Sequence, residues 1–203
     1  MAKLWMVLSA GAVLVVAAGA VGYARFKPGA TPPLADAQKR SAWDFRMVAI
    51  DGSPLPMAKF RGDVVLLVNT ASKCGYTPQY DGLQRLHLRY QSQGFTVLAV
   101  PSGDFLGQEY GSNREISTFC QTKFGIRFPM AEKAHVVGEE AIPLYRWAAA
   151  RLGLGNTPRW NFHKYLIGRD GQLLEAFATR IDPADPVISR AIEAALAVPR
   201  PVR

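Results

Sequence analysis

Two apolar runs of strand length, residues 64–68 (VVLLV) and 95–100 (FTVLAV), show no polar alternation. That is the pattern of parallel strands covered on both faces. Between them Leu83, Leu86 and Tyr90 recur at helical spacing, with Thr77 as the expected N-cap and Pro78 as the first helical residue. Beyond the second run, Ser112 and Glu115 have capping-box spacing ahead of Ile116, Phe119, Cys120 and Phe124, which share one helical face. Tyr145, Ala148, Ala149 and Leu152 mark a further helix. Residues 162–167 and 173–178 flank Arg169-Asp170-Gly171 as a hairpin. Asp182-Pro183 is expected to start a last helix bearing Val187, Ile188, Ala191, Ile192 and Ala195. Upstream, residues 47–50 and the turn signal Asp51-Gly52 predict another hairpin. The order is hairpin, β-α-β-α, helix, hairpin, helix, which predicts an α/β fold: an open sheet with helices on both faces.

The ends of the chain obey other rules. Residues 4–24 are uncharged and mostly apolar, about the length needed to span a hydrocarbon core as a helix. The segment comes after Lys3 and contains Ala18-Gly19-Ala20, so residues 1–25 read either as a membrane anchor or as a cleaved signal peptide. Arg25, Lys27, Lys39 and Arg40, on the C-terminal side of the segment, favour a cytoplasmic domain if the segment is an anchor. A signal peptide would instead export the domain to the periplasm. Residues 26–42 read as a tether, 43–198 as one domain and 199–203 as a frayed tail.

With 203 residues, 49% hydrophobic and 20% charged, the chain is neither disordered nor polytopic. The net charge of +8 comes without a basic block in the domain, which points away from a nucleic-acid partner. Two cysteines are too few for a multi-disulfide scaffold or a four-cysteine zinc site, and His87, His135 and His163 lack ligand spacing. No metal or cofactor is expected.

Cys74 lies just after a buried strand and precedes the expected helix cap by three residues. Free N–H groups at a helix start favour a thiolate over a thiol. Burial as a small core residue is the commoner fate of a lone cysteine. The neighbours Ser72, Lys73 and Gly75 weigh toward reactivity, and Lys73 could add its charge or point into solvent. A βαβ unit with a cysteine at this junction is similar to the thioredoxin architecture, but Cys74-Gly-Tyr-Thr77 lacks the second sulfur of Cys-x-x-Cys.

The stretch 68–80 (VNTASKCGYTPQY) resembles the active-site segment of the glutathione peroxidase family in its cysteine form. Residues 105–109 (FLGQE), 128–130 (FPM) and 160–162 (WNF) extend the resemblance, in order, over residues 42–197. It implies a thioredoxin-like fold with an added N-terminal β-hairpin, here preceded by the hydrophobic N-terminal helix. The implied activity is reduction of hydrogen peroxide and organic or lipid hydroperoxides through a sulfenic acid on Cys74. Matches to the family's catalytic tetrad are Cys74, Gln108, Trp160 and Asn161. The last three carry neutral N–H donors, suited to a thiolate and a departing oxygen. Taken singly, each also has an ordinary role, as a solvated loop residue, core packing or a turn.

Cys120 matches the resolving position of two-cysteine members, which implies an intramolecular disulfide reduced by thioredoxin; glutathione is the other candidate reductant. It also lies on an apolar helical face, so reaching Cys74 would require local unwinding around residues 112–124. This chain has Pro101-Ser-Gly-Asp-Phe105 where the family often has a cysteine and an Asn-Gln pair, which bears on substrate preference. The short stretch between Trp147 and Trp160 implies a monomer.

Overall fold

The structure, a computed structural model, describes residues 34–201. The expected signal peptide or anchor over 1–25 and the first part of the tether lie outside the described residues. Helix α1 (Leu34–Lys39) occupies a stretch expected to be tether. The hairpin predicted around Asp51-Gly52 is β1 (Arg46–Val48) with β2 (Pro54–Pro56), paired antiparallel. Strand β3 (Val64–Thr70) leads to α2 (Gln79–Tyr90) and β4 (Phe95–Pro101), and then to α3 (Asn113–Phe124) and α4 (Pro143–Leu152). A second hairpin, β5 (Lys164–Ile167) with β6 (Leu173–Phe177), precedes α5 (Pro186–Ala197). Among the described residues no helix is long and apolar enough to cross a membrane.

The main sheet has the order β4-β3-β5-β6. Strand β3 runs parallel to β4, as expected of a strand-helix-strand unit, and antiparallel to β5. Every residue of β3 and β4 is buried. Their alternation sorts the core into two layers. Val64, Leu66 and Val68 face Leu83, Ile116, Cys120 and Ile188, while Val65 and Leu67 face Leu144, Trp147 and Trp43. Helices therefore cover both faces.

Several boundaries differ from expectation, each for a local reason. The tether is shorter because α1 docks on α4: Trp147 Nε1 donates to the Ala37 carbonyl at 3.0 Å, and Ala37 is fully buried. A helix of six residues is too short to show periodicity. The buried stripe of α4 is Leu144, Tyr145, Trp147 and Ala148, with Ala149 and Leu152 only half-buried. Helix α5 is capped by Asp185, whose carboxylate accepts from Val187 N–H, and Pro186 takes the first turn. The earlier Asp182-Pro183 pair makes a turn instead, and Pro183 packs so close to α2 that a Cβ at Gly82 would stand 2.9 Å from it. In the tail expected to fray, Arg200 pairs with Asp63 at 3.3 Å. The capping box on α3 forms as read, with Ser112 Oγ accepting from Glu115 N–H.

Candidate active site

Helix α2 begins at Gln79, with Pro78 as its cap residue, because Thr77 is committed elsewhere. Its hydroxyl donates to the Ala71 carbonyl at 2.9 Å and accepts the Cys74 N–H at 3.0 Å. The residue at the place of a second sulfur thus closes the loop that presents the first, and dithiol exchange within this turn is excluded. The Tyr76 N–H reaches Cys74 Sγ at 3.4 Å, a backbone donor aimed at the sulfur. Cys74 retains 8% of its surface. The Lys73 ammonium stacks on the Tyr110 ring, 4.1 Å from its centre, while the side chain stays exposed.

The segment around Gln108 runs beside this loop and holds it at two points. The Gln108 carbonyl accepts the Lys73 N–H at 2.9 Å. Glu109 Oε1 accepts from Ser72 N–H at 3.2 Å and from Tyr110 N–H at 2.8 Å. Burial raises the Glu109 pKa above the usual carboxylate range, partly offset by Ser72, Tyr110 and the charge of Lys133. Asn161 Nδ2 donates to Gln108 Oε1 at 3.0 Å. That bond occupies the acceptor end of Gln108 and leaves its Nε2 donor without a partner among the described residues. Trp160 packs against the core cluster containing Cys74, with its ring 5.8 Å from Phe105.

The turn carrying Trp160 and Asn161 is shaped by Asn69, fully buried at the end of β3. Asn69 Nδ2 donates to the Trp160 carbonyl at 3.1 Å, and Oδ1 accepts the His163 N–H at 3.1 Å. The Asn69 carbonyl accepts the Phe162 N–H at 2.6 Å. These bonds hold Phe162 at φ 64°, in the left-handed region that costs a bulky residue about 1–2 kcal/mol. Asn69, Thr77 and Glu109 all lie within the recognised motifs, yet sequence reasoning assigned none of them a role in the site. An asparagine ending an otherwise aliphatic strand was the signal available.

The structure therefore joins Gln108 to Asn161 directly and seats both the Cys74 loop and the Trp160 turn against them. Cys120 stands apart. It is fully buried on α3, and burial pushes its thiol up to about 11. Its polar neighbour is Tyr80, whose hydroxyl lies near Cys120 and Thr70 without forming a well-aligned hydrogen bond. Both cysteines are free thiols.

Two further titrating groups sit behind the Trp160 turn. Lys164 is fully buried, with its ammonium donating to Gln79 Oε1 at 2.7 Å and to the Ile181 carbonyl at 2.7 Å; burial brings it down to about 7, against the charge of Asp182. Burial, with Lys164 behind it, takes His163 down to about 4 from an ordinary 6.5. Between those two pH values the unfolded chain binds a proton at His163 that the folded chain refuses. Stability from this group is therefore complete above pH 6.5 and lost as pH falls toward 4, by on the order of 3 kcal/mol. Urea unfolding at pH 4.5 and pH 7 should show a smaller stability difference in His163→Gln than in the parent. Equal differences would mean that His163 is not the group responsible.

A thioredoxin-like fold that presents a single cysteine at this turn, with Thr77 in the place of a second sulfur, fits a thiol-dependent peroxidase rather than a dithiol oxidoreductase. Comparison with known proteins gives the same class. The glutathione peroxidase family model matches residues 42–149. A glutathione peroxidase of Lactococcus lactis is 44% identical over 145 residues, covering 70% of this chain and 92% of the relative. The thioredoxin/glutathione peroxidase BtuE of Escherichia coli is 39% identical over 170 residues, covering 73% of this chain and 93% of the relative. The crystal structure of a glutathione peroxidase from T. cruzi superposes with a TM-score of 0.63 at 32% identity, covering 77% of this chain and 97% of that one. The chain belongs to the glutathione peroxidase family, and it is a peroxidase that uses thiol chemistry.

Proposed function

We propose that Cys74 is the peroxidatic nucleophile, with Gln108, Trp160 and Asn161 as its neutral donors, and that the oxidised enzyme is recycled through Cys120 by thioredoxin. The observation that carries this reading is the Asn161–Gln108 hydrogen bond, which leaves a free amide N–H beside the loop of Cys74. In the first step the Cys74 thiolate attacks the terminal oxygen of a hydroperoxide. The S–O bond forms as the O–O bond breaks, the sulfur loses two electrons, and the alkoxide leaves and takes a proton to become the alcohol. Neutral donors stabilise charge on the sulfur and the leaving oxygen without locking the thiolate in an ion pair. In the second step the Cys120 thiol displaces water from the Cys74 sulfenic acid, giving the disulfide that a dithiol reductant reopens.

Glutathione is the alternative reductant, and the E. coli relative is named for both. Hydrogen peroxide and organic or lipid hydroperoxides are the proposed oxidants and a monomer the proposed state. Residues 1–25 are proposed to anchor the enzyme in a membrane or export it to the periplasm. The test is a steady-state assay coupling peroxide reduction to NADPH oxidation. Peroxide-dependent consumption is expected with thioredoxin and its reductase, faster than with glutathione and its reductase. Faster turnover with glutathione would overturn the proposed reductant, and no turnover with either would overturn the assignment of this site.

A further inference from the structure

Lys164 on β5 pairs with Val68 of β3, so its side chain enters the same core layer as Val68 and Leu66. It is fully buried there. Three oxygens surround its ammonium: Gln79 Oε1 at 2.7 Å, the Ile181 carbonyl at 2.7 Å and the Thr179 carbonyl at 3.4 Å. They match the three N–H donors of a charged lysine. All three are uncharged, and Asp182 attracts the ammonium only through space. Enclosing a cation among neutral oxygens is costly, and a well-packed apolar side chain in such a place is often at least as stable. Stability alone therefore does not account for a lysine.

The bonds around Lys164 lead to the site by two routes. Gln79 opens α2 directly after the Cys74 loop, and its N–H donates to the Tyr76 carbonyl at 2.9 Å. Tyr76 in turn aims its own N–H at the sulfur. Along the second route, Gln79 Nε2 donates to the Thr179 carbonyl at 2.8 Å, and the Thr179 hydroxyl donates to the Asn161 carbonyl at 2.8 Å. The Asn161 amide then donates to Gln108. Resting on the assignment of Cys74 and Asn161, we infer that Lys164 is a positioning residue for the peroxide reaction: its ammonium ties Gln79 to the Thr179 segment and so fixes the Asn161 and Gln108 amides relative to the Cys74 sulfur. It acts through Gln79 and Thr179, not on the reacting atoms. Breaking an O–O bond requires the sulfur and the donor to the leaving oxygen to be in place together, and small misplacements of such groups cost rate steeply.

The test compares two reactions of reduced enzyme, each followed at Cys74 by mass spectrometry: oxidation by hydrogen peroxide and alkylation by iodoacetamide. Both need the thiolate, but only oxidation needs a donor placed at a departing oxygen. In Lys164→Met the oxidation-to-alkylation rate ratio is expected to fall about tenfold. Thr179→Val removes the hydroxyl from the Asn161 carbonyl, leaves Lys164 in place, and should lower the ratio by a similar factor. Thr179→Ser should bring it back to within about twofold of the parent. Because the two side chains act along one route, the double variant should lose about tenfold rather than about a hundredfold. Should Lys164→Met not fold, as judged by thermal unfolding, Gln79→Met cuts the tie between Lys164 and α2 and takes its place in the cycle. An unchanged ratio in either single variant, multiplied losses in the double variant, or equal falls in both reactions would overturn the positioning role. Failure of hydrogen peroxide to oxidise Cys74 in the parent would instead overturn the assignment of Cys74, and an Asn161→Ala ratio equal to the parent's would overturn that of Asn161.

Discussion

Cys74→Ser is expected to lower peroxide turnover by about three orders of magnitude or more while leaving the fold in place. A serine hydroxyl is essentially un-ionised at neutral pH and has no accessible oxidation ladder, so neither attack on the O–O bond nor a sulfenic acid is available to it. The substitution is nearly isosteric, and the oxygen can still accept the Tyr76 N–H that now reaches the sulfur at 3.4 Å. Thr77 ties the loop through backbone groups at Ala71 and Cys74, and Glu109 holds Ser72, so none of the bonds that shape the loop is lost. Stability should therefore change by no more than about 1 kcal/mol. Peroxide consumption and thermal unfolding measured on the same preparation check both halves. A folded variant that still turns over would place the reacting group elsewhere.

Cys120→Ser should abolish thioredoxin-dependent turnover, by about a hundredfold or more, while one equivalent of peroxide still yields a trappable sulfenic acid at position 74. The physical obstacle to the resolving step is specific. With its thiol pushed up to about 11, only about one Cys120 in ten thousand is ionised at pH 7 while α3 stays packed. Opening α3 removes the burial that causes this shift and frees the sulfur to approach Cys74. Oxidation is therefore expected to reduce amide-exchange protection over residues 112–124, and identical protection in oxidised and reduced samples would rule the unwinding out. A buried serine leaves a hydroxyl in an apolar layer beside Tyr80, so Cys120→Ala serves as the control for folding. Unchanged thioredoxin turnover in both variants would reject the resolving role.

Much of the architecture was legible because its signals are local. The unbroken aliphatic runs announced β3 and β4, and the Ser112–Glu115 spacing announced the start of α3. Boundaries failed where two residues competed for one job. Of two Asp-Pro pairs three residues apart, the second caps α5, and nothing local distinguishes it from the first. Thr77 looked like a helix cap, but Ala71 and Cys74 lie within reach once the loop folds back on itself. The α1 segment, too short for a periodic stripe, owes its place to Trp147 more than a hundred residues away.

From the sequence alone came the layered α/β order, the reactive-cysteine context with its absent second sulfur, and the family resemblance that singled out Cys74, Cys120, Gln108, Trp160 and Asn161. These rest on neighbouring residues and on motifs, which a linear reading can see. Only the folded chain decided that Asn161 turns the Gln108 amide from 53 positions away, that Glu109 holds the loop from 37, and that Asn69 shapes the Trp160 turn from 94. Periodicity is a property of consecutive residues, whereas a hydrogen bond between distant side chains exists only once packing has set both backbones at the right separation.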